Sequence, residues 1–221
     1  MTLRDSSHHI IIGVGYSYYN DLESIKRGLP TFADNVDFVF AIDGRYSLRE
    51  GADYSDDGST EFISKFPNSI IRKFVGMEHD KRNEYVDLAE EMDVDFLIIL
   101  DSDEFVLEAD WEMFRENLYQ LRNSNNHIHG IKCYYNSKDF TSYPRIWRVG
   151  KVRYYKTHNI FDVNGSLVRS PPNLKTVEGI SMGMDDNLRS EQYLQKSSEY
   201  QRKMLDYEIP IRHALRDGKP I

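Results

Sequence analysis

Short apolar runs alternate with stretches of helical spacing over the first ~120 residues. Ile10–Ile12 with Val14 reads as a first buried strand, ending in Gly13 and Gly15. Asn20 or Asp21 can cap a helix over Leu22–Leu29, which Pro30 ends. Asp37–Gly44 is a second strand, closing on an acid and a glycine. The Gly-, Asp- and Ser-rich stretch 50–59 reads as a surface loop, and 60–66 as a short helix. Ile70–Val75 is a third strand. In 81–92 the apolar positions Tyr85, Leu88, Ala89 and Met92 follow helical spacing. Phe96–Leu100 is a run of five apolar residues, the signature of a strand buried on both faces of a parallel sheet. Asp110 caps a further helix over Trp111–Arg122.

This alternation predicts a doubly wound α/β sheet. Beyond it, 127–135, 145–148 and 151–156 read as strands with no helix between them, an antiparallel extension of the same sheet. A long charged helix is expected over 190–207. No linker divides the chain, so 1–221 is expected to be a single domain, with one half at about 8–122 and the other at about 123–221.

The chain has 221 residues and a formal net charge of −8, a balance that disfavours nonspecific nucleic-acid binding. Cys133 is the sole cysteine, which fits a reducing compartment, so a cytoplasmic location is expected. No signal peptide and no membrane-length apolar run is read from the sequence, though peripheral membrane contact remains compatible with it. Two familiar nucleotide signatures fail. G-x-G stands at Gly13 and Gly15, but Tyr18 occupies the third glycine position of the dinucleotide fingerprint. The P-loop pattern is absent.

The strongest chemical signal is what the fourth strand delivers: Asp101, Ser102, Asp103 and Glu104, three acids in four positions. Ligands of open α/β sheets sit beyond the carboxyl ends of the strands. There, Asp101 and Asp103 offer hard oxygen ligands for Mg²⁺ or Mn²⁺ beside a substrate's phosphates. The plain alternatives are a strand ending in solvated acids, an Asp43 that only shapes the turn before Gly44, and an Arg82 paired locally with Asp80 or Glu84.

Taken together, Arg82-Asn83, Leu88-Ala89 and Phe96–Phe105 resemble the nucleotide-diphospho-sugar glycosyltransferases of the GT-A fold, family 2 above all. Tyr19-Asn20-Asp21, Asp43-Gly44, Pro144–Arg148, Tyr154 and Thr157–Asn159 extend the likeness over residues ~10–160. Arg45 and Tyr46 replace the second acid and Ser usual after Asp43-Gly44, and Asn159 stands where one subgroup has Glu.

The resemblance implies a Rossmann-like mixed sheet flanked by helices and a metal-dependent transferase of the hexosyltransferase type. The donor would be a nucleotide-sugar, UDP-linked by preference. The acceptor would be a hydroxyl of a carbohydrate, glycolipid or protein. It implies donor contacts from Gly13, Tyr16, Asp43, Arg82, Asn83, Asp101 and Ser102, and Mn²⁺ or Mg²⁺ at Asp101 and Asp103, with His158 as a further ligand. In that scheme Asp103 binds the ion directly, while Asp101 binds it through water or contacts the ribose. The base is sought among Asp162, Glu178, Asp185 and Asp186, with Asp162 first and Asp185 second. A noncatalytic nucleotide- or sugar-binding module and a sugar nucleotidyltransferase are the competing readings.

Overall fold

The computed structural model describes residues 10–135, 139–155, 159–162, 174–184 and 202–203. Its main feature is an eight-stranded mixed sheet flanked by helices. The first half alternates as expected: β1 (Ile12–Tyr18), α1 (Leu22–Gly28), β2 (Phe38–Asp43), α2 (Ser59–Ile63), β3 (Ser69–Lys73), α3 (Glu78–Glu91) and β4 (Phe96–Asp101). Then come β5 (Glu104–Ala109), α4 (Trp111–Leu121), β6 (Ile128–Tyr135), β7 (Asp139–Arg148) and β10 (Thr176–Met184). Between β7 and β10, β8 (Val152–Tyr155) and β9 (Asn159–Asp162) form a separate antiparallel ribbon.

The sheet order is β3-β2-β1-β4-β7-β6-β10-β5. β1 pairs in parallel with both β2 and β4, so the strand order reverses at β1, the switch point where α/β sheets open a crevice. β7 continues the sheet antiparallel to β4, as the helix-free pattern implied. β5 is a different matter. It follows β4 after a two-residue turn, yet β7, β6 and β10 lie between them in the ladder. The sheet must therefore curl until its last strand returns to the tip of β4.

Strands β5, β9 and β10 were not expected, and β1 runs three residues past the expected end at Gly15. Period-2 alternation explains the glycines inside it. Ile12, Val14, Tyr16 and Tyr18 enter the core shared with α1 and α4, beside Ile25, Phe114 and Leu118. Gly13 and Gly15 face the other way, toward α3. A Cβ on Gly15 would lie 2.6 Å from the Tyr85 ring, and one on Gly13 would lie 2.6 Å from the Phe40 ring. G-x-G therefore clears one face of β1 for two aromatic rings. Packing against Phe40 is thus a reason for glycine at position 13 besides the ligand contact expected there. Tyr16 is fully buried against Phe32, and its hydroxyl donates to the Ser102 carbonyl at 3.1 Å.

β4 obeys the same alternation. Phe96, Ile98 and Leu100 join the first core, while Leu97 and Ile99 join a second core with Tyr85, Val86, Leu88 and Ala89 of α3. Asp101, two residues past Ile99, thus emerges on the α3 side. Asp110 caps α4 as expected, accepting from the Met113 amide at 2.9 Å. Arg202 and Lys203 are helical, and the rest of 190–207 lies outside the described residues.

Gly13→Ala should cost about 1–3 kcal/mol of stability, because a methyl group there must push Phe40 out of a filled site. Urea unfolding would show this as a lower midpoint at unchanged slope. An unchanged midpoint would refute the packing role of Gly13.

Candidate functional site

The carboxyl ends of β1, β2 and β4 meet the first turns of α3, and charge concentrates there. Three consecutive residues of α3 point in three directions, since neighbours along a helix do not share a face. Lys81 turns inward under the strand ends. It is 1% exposed, and its ammonium donates to the Tyr18 carbonyl at 2.7 Å and the Gly44 carbonyl at 2.5 Å. The Tyr46 ring lies 5.1 Å from its Nζ, so the residue that departs from the family pattern covers this lysine. Arg45, the other departure, pairs with Asp53 at 2.9 Å.

Arg82 points along the sheet toward β4. Its Nε donates to Glu78 at 2.9 Å, one turn back, and its Nη2 donates to Asp101 Oδ1 at 2.7 Å. The local partners Asp80 and Glu84 are thus not the ones it uses for these bonds. Asn83 faces the β8–β9 ribbon instead. Its amide donates to the Tyr154 carbonyl and accepts from the Tyr154 amide, both at 3.0 Å. That two-way bond holds β8 in place.

Asp43 has internal partners as well. It is fully buried, and its carboxylate accepts from the Ser55 amide (3.1 Å), the Ser55 hydroxyl (2.6 Å) and the Thr60 hydroxyl (3.1 Å). It ties down the loop after β2. Tyr18 adds to this knot with a 2.9 Å hydroxyl contact to Thr60.

The turn after β4 is held on every side. Glu104 accepts from the Asp101 amide at 2.8 Å. Ser102 Oγ donates to Asp21, which joins the turn to the segment after β1. Arg145, on β7, donates to Asp101 Oδ2 at 3.2 Å and also bonds Glu104. Each oxygen of Asp101 therefore carries one guanidinium. Burial alone would raise the Asp101 carboxyl, but Arg82 and Arg145 outweigh it and hold the group well below the usual carboxylate range. Burial pushes Glu104 up to about 7; Arg145 opposes this, and the charge of Asp101 reinforces it. The Asp101 side chain is 30% exposed, against 15% for Arg145, 8% for Arg82 and 3% for Glu104, so it is the most exposed member of this cluster. Asp103 is buried.

Arg145 and Glu104 were assigned no role from the sequence. They lie 41 residues apart, and no local spacing announces the pair. Of the expected site residues, Arg82, Asp101 and Ser102 gather at the turn with Asp103, whereas Gly13, Tyr16, Asp43 and Asn83 serve packing or loop anchoring. Asp162 ends β9 with only its backbone described, and His158, Asp185 and Asp186 lie outside the described residues. Glu178, on β10, pairs with Lys132 at 2.6 Å on an exposed surface.

Among the described residues, no three His, Cys, Asp or Glu side chains converge as a ready-made metal cage. Asp101 and Asp103 have the hard oxygens that suit Mg²⁺ or Mn²⁺.

No protein-family model and no curated protein sequence matches the chain. Solved structures do match it in shape. Staphylococcus aureus TarS 1–349, a GT-A glycosyltransferase, aligns at 14% identity and a TM-score of 0.48, covering 63% of this chain and 47% of that one. TarS 1–349 in complex with UDP-GlcNAc aligns at 17% identity and a TM-score of 0.45, covering 59% and 36%. A cytidylyltransferase from Leptospira borgpetersenii aligns at 14% identity and a TM-score of 0.36, covering 64% and 61%. This chain spans about half the length of the TarS fragment that it matches.

Burial pushes the Lys81 ammonium down to about 7 from its ordinary 10.5, against the pull of Asp43. Between those two values the unfolded chain binds a proton that the folded chain has released. Stability should therefore rise with pH from about 7 to 10, by several kcal/mol in all. Lys81→Met removes this rise and leaves the Tyr18 and Gly44 carbonyls without their donor, a further cost of about 1–3 kcal/mol. Urea midpoints for both proteins across that range measure it. A parallel pair of profiles would refute the assignment.

Proposed function

We propose that the chain is a metal-dependent glycosyltransferase of the GT-A type. It moves a sugar from a nucleotide-diphospho-sugar, preferably a UDP-sugar, to an acceptor hydroxyl on a carbohydrate, glycolipid or protein. The observation that carries this reading is the Asp-Ser-Asp turn at the switch point of the sheet, with two guanidiniums already turned toward it.

The chemistry asks for what this cluster offers. As the bond between the anomeric carbon and the diphosphate oxygen breaks, its electron pair leaves with the nucleoside diphosphate. Negative charge then grows on the phosphates. Arg82 and Arg145 can pair with phosphate oxygens as planar forks. A Mn²⁺ or Mg²⁺ ion held by Asp103 and Asp101 would supply Lewis-acid stabilisation of the same charge. Ser102, anchored by Asp21, keeps the turn rigid, so that stabilisation is set up in advance. The acceptor oxygen bonds to the anomeric carbon, and its proton passes to a carboxylate, for which Asp162 and then Asp185 are our candidates. His158 is the candidate third protein ligand to the ion. In this reading the donor half covers about 8–122, and the acceptor half covers the remainder of a single domain.

The surroundings support a small-molecule or surface acceptor over nucleic acid, given the net charge of −8. Among the described residues no helix is long and apolar enough to cross a membrane. The lone cysteine, buried Cys133, supports a reducing compartment, and we place the activity in the cytoplasm.

The test is release of nucleoside diphosphate from a panel of nucleotide-sugars with Mn²⁺ present. UDP-sugars should be turned over slowly without acceptor, and chelation with EDTA should stop the reaction. Asp103→Ala should lower turnover by about two orders of magnitude or more, since the stabilisation at stake is several kcal/mol. A protein that binds UDP but releases none from any donor would be a binding module. Turnover of a sugar-1-phosphate with a nucleoside triphosphate would make it a nucleotidyltransferase.

A further inference from the structure

We propose that the Asp101 carboxylate is an internal stand-in for the donor's diphosphate: it occupies Arg82 and Arg145 in the ligand-free protein and is displaced from them when phosphate binds. This inference rests on the donor reading above and assigns Arg145 as a diphosphate-binding residue.

Four observations meet here. A guanidinium fork takes carboxylates and phosphates by the same two-pronged geometry, so an acid seated on it marks where a phosphate can sit. Asp101 takes one N–H from each of two guanidiniums, at 2.7 and 3.2 Å, so neither fork is closed on it. It is also the most exposed member of the cluster, whereas Glu104, the other acid on Arg145, is sealed in. Finally, Arg145 Nε is buried and has no hydrogen-bond acceptor among the described residues. The guanidinium is therefore short of one partner while Asp101 holds it. An incoming phosphate brings more oxygens than a carboxylate does.

Displacement has a consequence for the cation. A divalent ion beside Asp101 in its present pairing would face two guanidiniums bonded to the same carboxylate. Once phosphate holds those guanidiniums, Asp101 is released as an anion beside Asp103. Cation and diphosphate then favour each other's binding, and the linkage is reciprocal. No covalent step is involved. Asp101 exchanges guanidiniums for the ion, and the phosphate takes the guanidiniums.

Calorimetry on the full chain tests this with inorganic pyrophosphate, UDP and Mn²⁺ as probes. In the wild type, Mn²⁺ should tighten pyrophosphate binding tenfold or more, and pyrophosphate should tighten Mn²⁺ binding by the same factor. Asp101→Asn keeps the shape but removes the competing charge. It should bind pyrophosphate in EDTA about tenfold more tightly than the wild type, and Mn²⁺ should add little. Arg145→Lys keeps a charge but loses the fork, and it should bind pyrophosphate in EDTA about tenfold more weakly. Circular dichroism of both variants establishes that they are folded.

An Asp101 that is only a metal ligand predicts unchanged pyrophosphate affinity in EDTA for Asp101→Asn. That result, or a weaker affinity, overturns the stand-in while leaving the donor reading intact, provided the wild type binds UDP with Mn²⁺. A wild type that binds neither UDP nor pyrophosphate, with or without Mn²⁺, removes the donor reading and this inference with it.

Discussion

The pairing of Asp101 and Glu104 with Arg82 and Arg145 is the constraint on which the active end of this molecule depends. Each partner comes from a different element: Asp101 from β4, Glu104 from β5, Arg82 from α3 and Arg145 from β7. Buried ion pairs seldom add much net stability, because desolvation offsets the attraction. They do specify geometry, because each charge left alone would be costly to keep. Here the geometry specified is the curl of the sheet. β5 has to return to β4 across three intervening strands, and Arg145 of β7 bonds acids on both sides of the turn that joins them.

The same constraint explains why part of the fold was legible in the sequence and part was not. β1 to β4 are sheet strands with apolar runs, and the sequence marks them by composition alone. β5 defeats that reading. Its inward positions are Glu104 and Val106, whereas Phe105 is half-buried and Leu107 exposed. Period-2 logic would place the apolar pair Phe105 and Leu107 inside and the glutamate outside. Only a partner on another strand makes the opposite choice stable, and that partner stands 41 residues further on. β10 is hidden for a different reason. Gly179, with φ +112°, and Gly183 interrupt its pattern, because α4 and Phe105 press on those points of the strand.

Site residues divide along the same line. That Asp101, Ser102, Asp103 and Arg82 lie together was legible because they flank elements with clear ends. The end of β1 was misread because a glycine pair looks like a strand terminus, whereas β1 continues to Tyr18 and carries its glycines on the α3 face. Asp43 occupies the expected strand tip, yet a tip is not an open position when Ser55 and Thr60 fold back onto it. Lys81, Arg82 and Asn83 are consecutive in the chain, and the resemblance gave Arg82 and Asn83 a shared role. A helix separates such neighbours by about 100° each, so one holds strand carbonyls, one holds Asp101 and one holds the β8 backbone.

That division gives the helix a structural logic. Lys81 and Asn83 fix α3 at two ends of its first turns, one to the tips of β1 and β2 and the other to the ribbon. Arg82, between them, is left with little freedom, and Glu78 braces its Nε from one turn below. An arginine on a surface helix samples many rotamers and loses that entropy on binding an anion. Arg82 has already lost it on folding. The buried lysine, costly as it is, therefore serves the guanidinium beside it. A cation held rigid before its ligand arrives interacts more strongly than one that must be ordered on contact. The same reasoning applies to Arg145, whose strand is fixed by β4 on one side and β6 on the other. Two preset guanidiniums at the tip of one strand would repel each other and expose the cluster to unfolding if no anion stood between them. Asp101 stands there, which is why the first acid of the turn belongs to the scaffold as much as to the chemistry.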